Sequence, residues 1–279
     1  MDLQEPTIDR DQILFLDDPN FSLKNVCVVT GCASGIGRAT AVAAAANGLQ
    51  VVGLDLDGDG AQKTVDIAAG FGGKMEFVPT DLTSDDQVES AVKVAAKMGT
   101  IKYLANIAGI QHIDAVENFP MEKYDLMQAL MLRAPFLLAK LCLPHMKSSA
   151  DGSGVVGNMA SIHAHICTIR KPVYNITKFG LRGLTQSIAA EGEGRVRAFS
   201  VSVGFVKTPL ALKQIPAQAE QRGISQEAVV RDVMMGASRT KEMMTPIEVE
   251  HLFLFGFSRF SRCLSGGDLL FDGGCVLSY

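Results

Sequence analysis

At 279 residues, 47% of them hydrophobic and 20% charged, the chain can bury the core of one large α/β domain or of two small ones. A net charge of −4 offers no attraction for nucleic acid or an anionic membrane, no N-terminal stretch reads as a signal peptide, and no apolar run is expected to cross a membrane, so a cytoplasmic setting is the default expectation. The six cysteines (Cys27, Cys32, Cys142, Cys167, Cys263 and Cys275) form no Cys-x-x-Cys pair and fall mostly in apolar segments, which predicts buried reduced thiols and no metal site.

Residues 1–22 are polar, with Asp9, Asp11, Asp17 and Asp18 clustered, and lack sustained periodicity. They read as an extension packed on the domain or on a neighbouring subunit, or else as disordered. Residues 23–279 read as one domain. β-Rich runs at 26–30, 49–54, 75–79 and 103–106 alternate with helical patterns at 37–47, 60–69 and 85–97. The alternation continues with a helix over 121–146, a strand at 154–159, a helix over 174–190 and a strand at 198–203. An irregular, helical stretch follows over 208–245, then a helix at 246–257 and a strand at 268–271. Such alternation predicts an α/β fold with a doubly wound parallel sheet. A long insertion before the last helix is a natural substrate lid.

The run Thr30-Gly31-Cys32-Ala33-Ser34-Gly35-Ile36-Gly37 follows the first strand and opens a helix. Glycines at this spacing permit a tight turn and a close backbone approach to a pyrophosphate, and the helix end supplies free N–H groups. Asp55 ends the second strand, where a carboxylate would accept from ribose hydroxyls and repel a 2′-phosphate. No basic residue stands at positions 32, 33, 34 or 56, so NAD is favoured over NADP. Asp55 could instead cap the turn before Gly58, and Asp81, which suits an adenine contact, could equally cap the helix after Thr83 and Ser84.

Ser161 ends a predicted strand, Tyr174 lies thirteen residues on and Lys178 four beyond that. The last spacing puts tyrosine and lysine on one helix face. A phenol, with an ordinary pKa of about 10, needs neighbouring positive charge to act as a base at neutral pH. A Tyr-x-x-x-Lys pair alone is common on helices. Together with Ser161, the glycine turn and Asn106-Ile107-Ala108-Gly109 after the fourth strand, it points to hydride-transfer chemistry.

These motifs, with the terminal Asp272-Gly273-Gly274, resemble the short-chain dehydrogenase/reductase superfamily from residue 24 to residue 274. The resemblance implies a single-domain Rossmann-like sheet of about seven strands, a helical substrate lid and, commonly, a homotetramer. It also implies Ser161, Tyr174 and Lys178 as catalytic residues. It assigns an NAD cofactor to Gly31, Ser34, Gly35, Ile36, Gly37, Asp55, Asp81, Leu82, Asn106, Ala108, Gly109, Tyr174, Lys178, Val206 and Thr208.

A narrower similarity is to bacterial D-3-hydroxybutyrate dehydrogenases, carried by residues 108–112, by 160–163, by Lys171 and by 207–216. It implies a small 3-hydroxy or 3-oxo acid held by Gln111, Ser161, His163, Lys171, Tyr174 and Gln214. Charge-assisted bonds to its carboxylate would supply affinity that little apolar area can. Gln111, His163, Lys171 and Gln214 each also suit plain structural or surface roles. Three departures stand out. Met131 replaces a helix asparagine that in relatives frees a main-chain carbonyl for a relay water, and Pro135, lacking an N–H for the Met131 carbonyl, is expected to open the same carbonyl. Val203 replaces a proline. Phe205 and Cys275 replace tryptophans around the substrate methyl, leaving room for a longer or branched acid.

The expected reaction is reversible oxidation of (R)-3-hydroxybutyrate or a close 3-hydroxy acid. The competing expectations are a sugar or cyclic-alcohol dehydrogenase, for which Lys171 would be dispensable, and a catalytically silent nucleotide-binding protein.

Overall fold

In the computed structural model, which describes residues 4–277, seven parallel strands pair in the order β3-β2-β1-β4-β5-β6-β7. They are β1 (Asn25–Thr30), β2 (Gln50–Asp55), β3 (Lys74–Pro79), β4 (Thr100–Asn106), β5 (Gly154–Met159), β6 (Val196–Val203) and β7 (Asp268–Phe271). The central strands are apolar on both faces because helices cover both. On one side α1 (Gly35–Ala46) packs on α10 (Pro246–Phe257), beside α2 (Gly58–Gly70). The other side carries α3 (Asp85–Met98), α5 (Ala134–Lys147) and α6 (Pro172–Glu191). The chain reverses its direction of travel across the sheet between β1 and β4. The loops leaving β1, β4, β5 and β6 therefore diverge at the carboxyl edge and leave a crevice there, where ligands of such sheets bind.

Three expectations need amending. The helix over 121–146 is α4 (Met121–Gln128) joined to α5 through a π-helical segment, Ala129–Arg133, in which the Ala134 N–H bonds the Ala129 carbonyl five residues back. Pro135 follows at once; its missing N–H removes a bond from this stretch, a recognised cause of a helix irregularity. The same helix, Met121–Lys147, is long and apolar enough by composition to cross a membrane, with a mean hydropathy of 1.5, contrary to the expectation from sequence. In the fold its Met131, Ala134, Leu138, Cys142 and Met146 are buried, and α5 lies on β4 and α3. Cys167 and Cys263 are exposed, because both sit in surface loops and not in apolar elements.

Of the N-terminal extension, residues 1–3 lie outside the described residues. The rest packs on the domain. Ile13 and Phe21 are buried, the Asn47 side chain accepts the Leu16 N–H at 2.9 Å, and Asp18 accepts the Arg259 N–H. Between β6 and α10, the stretch 208–245 forms α7 (Pro209–Leu212), α8 (Gln214–Arg222), α9 (Gln226–Ala228) and a second π-helical segment, Val229–Met234. It has a small apolar core of its own, including Ile215, Val229, Met234 and Met243.

Candidate active site

The turn after β1 is built around glycine. Gly31 has φ +72°, and a Cβ there would lie 2.9 Å from the Ala108 Cα; a Cβ on Gly37 would lie 1.9 Å from the Gly31 carbonyl oxygen. No side chain fits either place. The Thr30 hydroxyl accepts the Ile107 N–H at 2.9 Å and the Ala108 N–H at 3.1 Å, locking this turn to the end of β4. The start of α1 already draws an anion: the Glu5 carboxylate accepts the Gly35 N–H at 2.6 Å. At the end of β2, Asp55 accepts the N–H groups of Ala33 at 2.9 Å and Leu56 at 2.8 Å, which fixes its carboxylate beside the turn. Asp81 accepts from the Thr83 hydroxyl at 2.7 Å and the Thr83 N–H at 2.9 Å, in that order the causes of its lowered pKa.

Ser161 follows β5, and α6 begins with a proline at its first position, presenting Tyr174 and Lys178 one turn apart. Lys178 Nζ donates to the Met159 carbonyl at 2.7 Å and lies 5.3 Å from the Tyr174 ring centroid. Ser161 Oγ is 3.0 Å from His163 Nδ1, and the His163 ring stands edge-on to Tyr174 at 5.4 Å. Burial dominates the titration of this group. It pushes Tyr174 up to about 12 against an opposing hydrogen bond with Ser161, and Lys178 down to about 7. Without bound cofactor, the loss of water around the phenol outweighs the groups that favour phenolate. His163 falls to about 3, first through burial and then through the charges of Lys171 and Lys178, so it is neutral at pH 7.

Next to this group lies a set of unsatisfied polar atoms. His163 Nε2, Gln111 Nε2 and Gln214 Oε1 are buried without a hydrogen-bond partner, while Gln214 Nε2 reaches Gln111 Oε1 at 3.2 Å. Lys171 has no carboxylate partner among the described residues; its ammonium rests over the Phe205 ring at 5.5 Å, and burial lowers its pKa to about 8. The loop before α6 is held in place by Arg170, at φ +63°, whose carbonyl accepts the Asp114 N–H at 2.9 Å. A non-glycine residue in that conformation is strained, and here it joins the Lys171 loop to the Gln111 loop.

One cleft of about 560 Å³ is lined by every residue expected to bind cofactor or substrate except Asn106, and Cys275, expected near the substrate methyl, lines an adjoining cavity instead. Asn106 is buried inside the sheet, where its amide donates to Asn158 Oδ1 at 2.8 Å and Asn158 in turn donates to Thr185 at 2.9 Å. The Asn106 Nδ2 thus cross-links β4 to β5, while its Oδ1 is buried without a partner. Sequence reasoning also missed Arg38. Its guanidinium donates to the carbonyls of Ala33 and Gly60 and faces Glu5 at 3.8 Å, so a cation does stand at the nucleotide end of the cleft. Neither residue carries a local signal, because the pairing spans 33 positions of chain.

The glycine cradle, the anion-drawing helix start and the placed Asp55 fit a dinucleotide. A family model described as enoyl-(acyl carrier protein) reductase matches residues 31–276. The chain is 33% identical to the D-beta-hydroxybutyrate dehydrogenase of Rhizobium meliloti, over 90% of this chain and 98% of that one. It is also 33% identical to the protein of the same name from Cupriavidus necator, over 89% and 96%. A solved structure from Beutenbergia cavernae with bound NADP superposes with a TM-score of 0.81 at 26% identity, covering 93% of this chain and all of that one. The chain belongs to the short-chain dehydrogenase/reductase family of oxidoreductases.

Proposed function

We propose that the protein oxidises a small 3-hydroxy acid, most simply (R)-3-hydroxybutyrate, to the 3-oxo acid with NAD+, and catalyses the reverse reduction. The observation that carries this reading is the cluster of unpaired polar atoms on Gln111, His163 and Gln214 beside the carboxylate-free Lys171, next to Ser161 and Tyr174. Buried polar atoms without partners are costly, and a substrate carboxylate satisfies the Lys171 ammonium and the Gln111 and His163 N–H donors together, while Gln214 Oε1, an acceptor, would need a donor such as a substrate hydroxyl. With Nδ1 turned to the Ser161 hydroxyl, His163 is neutral and has Nε2–H to give. The names of both curated relatives agree with this substrate.

In this reading Tyr174 takes the hydroxyl proton and Ser161 holds the substrate oxygen. Lys178 supplies the charge that favours phenolate. Bound NAD+ supplies the hydride acceptor and a further positive charge. Asp55 accepts from the adenosine ribose and disfavours NADP, while Arg38, engaged by two carbonyls and Glu5, is not free to grip a 2′-phosphate. Pro135 and the π-helical segment offer the Met131 carbonyl to a water that passes the proton on, in place of the family asparagine. The stretch 208–245 acts as the lid and brings Gln214 over the cleft. A homotetramer belongs to the same reading: Phe136, Ile176 and Phe179 on one face, and Phe255, Phe260 and Phe271 on another, are apolar and open to solvent.

The test is NADH absorbance during turnover of 3-hydroxy acids, sugars and cyclic alcohols with NAD+ and with NADP+. Oxidation of the hydroxy acids with NAD+ is expected. Oxidation of sugars at equal efficiency, undiminished in Lys171→Ala, would overturn the substrate.

A further inference from the structure

A second cavity, of about 550 Å³, adjoins the cleft, and Gly204 and Phe205 line both. Gly204 is closely packed between them: a Cβ there would stand 3.3 Å from both the Asp272 carbonyl oxygen and the Met244 methyl carbon. Beyond it the surface is contributed by Val230, Met234, Met235, Met243, Met244 and Cys275, all buried or partly buried. Several polar groups there are engaged within the protein. Lys241 donates to the carbonyls of Met235 and Gly236, Glu248 closes the capping box of Thr245, and Asp272 accepts the N–H groups of Gly274 and Val276. Lys207 and the exposed Glu242 also line it. The apolar part is thioether and hydrocarbon, and unbranched methionines adapt to occupants of different length.

We infer that this cavity receives the alkyl tail of the substrate, making the preferred substrate class 3-hydroxy acids longer than four carbons, with Phe205 as the gate. The inference rests on the proposed function and adds the substrate's length. A 3-hydroxy acid carries its carboxylate on one side of the reacting carbon and its alkyl chain on the other. With the carboxylate at Lys171, His163 and Gln111, the chain must leave by another wall of the cleft. Phe205 is the ring in that wall which both hollows share; the ring packs on the apolar core of 208–245 with the Lys171 ammonium 5.5 Å from its centroid, and the Phe205 carbonyl accepts the Met244 N–H at 3.0 Å. Cys275, on the far side, contributes a small side chain and leaves the space open.

The experiment compares kcat/KM, at saturating NAD+, for (R)-3-hydroxybutyrate, -hexanoate and -octanoate with the full-length protein. Each added methylene that leaves water is expected to raise kcat/KM roughly fourfold, mainly through KM. Filling the space should flatten the series: Phe205→Trp and, independently, Cys275→Trp are expected to lower the octanoate-to-butyrate ratio at least about tenfold. A wild-type series that falls with length overturns the inference and leaves the proposed function standing, as does a rising series untouched by either soluble, folded variant. Failure to oxidise any 3-hydroxy acid overturns both.

Discussion

The two ends of the cleft are built on opposite principles. At the nucleotide end the backbone does the work. Glycines at 31 and 37 sit where a single added carbon would collide, Thr30 ties two strand ends together, and Asp55 is held by main-chain N–H groups. Its charged groups already have partners in the protein. At the substrate end one polar atom each of Gln111, His163 and Gln214 lacks a partner, burial lowers the pKa of two lysines, and Arg170 is in a strained conformation. The nucleotide end leaves Asn106 Oδ1 without a partner, while the substrate end leaves three such atoms, on Gln111, His163 and Gln214. The difference teaches where to look for specificity, because buried groups left unpaired are the ones a ligand is selected to satisfy.

Breaking the contrast at the reacting group has the largest expected effect. Tyr174→Phe removes the proton acceptor and keeps the ring, so kcat should fall by about 10²–10⁴ with NADH affinity, read by fluorescence titration, nearly unchanged. Next comes the carboxylate grip. Lys171→Met should raise KM for the hydroxy acid about 10- to 100-fold, the range for a lost charge-assisted bond, with a smaller change in kcat. The same lysine sets a pH dependence. Its pKa is lowered to about 8, so the free enzyme loses this charge as pH rises through that value; kcat/KM for the acid should bend downward there, and the bend should vanish in Lys171→Met.

A change at the nucleotide end should move the cofactor and not the acid. Asp55→Ser is expected to weaken NAD+ about tenfold and to admit NADP+, measured as a ratio of kcat/KM values. The smallest effect is expected at the helix irregularity. Pro135→Ala restores an N–H to α5 and should slow turnover severalfold, with a larger solvent isotope effect and unaltered NAD+ affinity. Unchanged turnover would remove the relay role.

The strands and the glycine turn were legible because they follow from local patterns: apolar runs of strand length, helical periodicity and residues that only one backbone conformation permits. The spacing of Ser161, Tyr174 and Lys178 was legible for the same reason, since two of them share one helix. What escaped reading depends on distance in the chain or on burial. The bond from Asn106 to Asn158 forms only when β4 and β5 pair. Arg38 and Glu5 meet only when the extension folds back. The direction in which Tyr174 and Lys178 titrate is set by how completely the fold excludes water, which no spacing encodes. Likewise the π-helical segment was visible only as a proline four residues after a methionine.

The most direct measurement compares kcat/KM for (R)-3-hydroxybutyrate with that for its methyl ester, at saturating NAD+ and pH 7, by NADH formation. The ester keeps the secondary alcohol and loses the negative charge. If Lys171 and its neutral neighbours grip a carboxylate, the free acid should be favoured about 10- to 100-fold in the wild type and by little in Lys171→Met. Equal efficiency for acid and ester in the wild type would contradict the account.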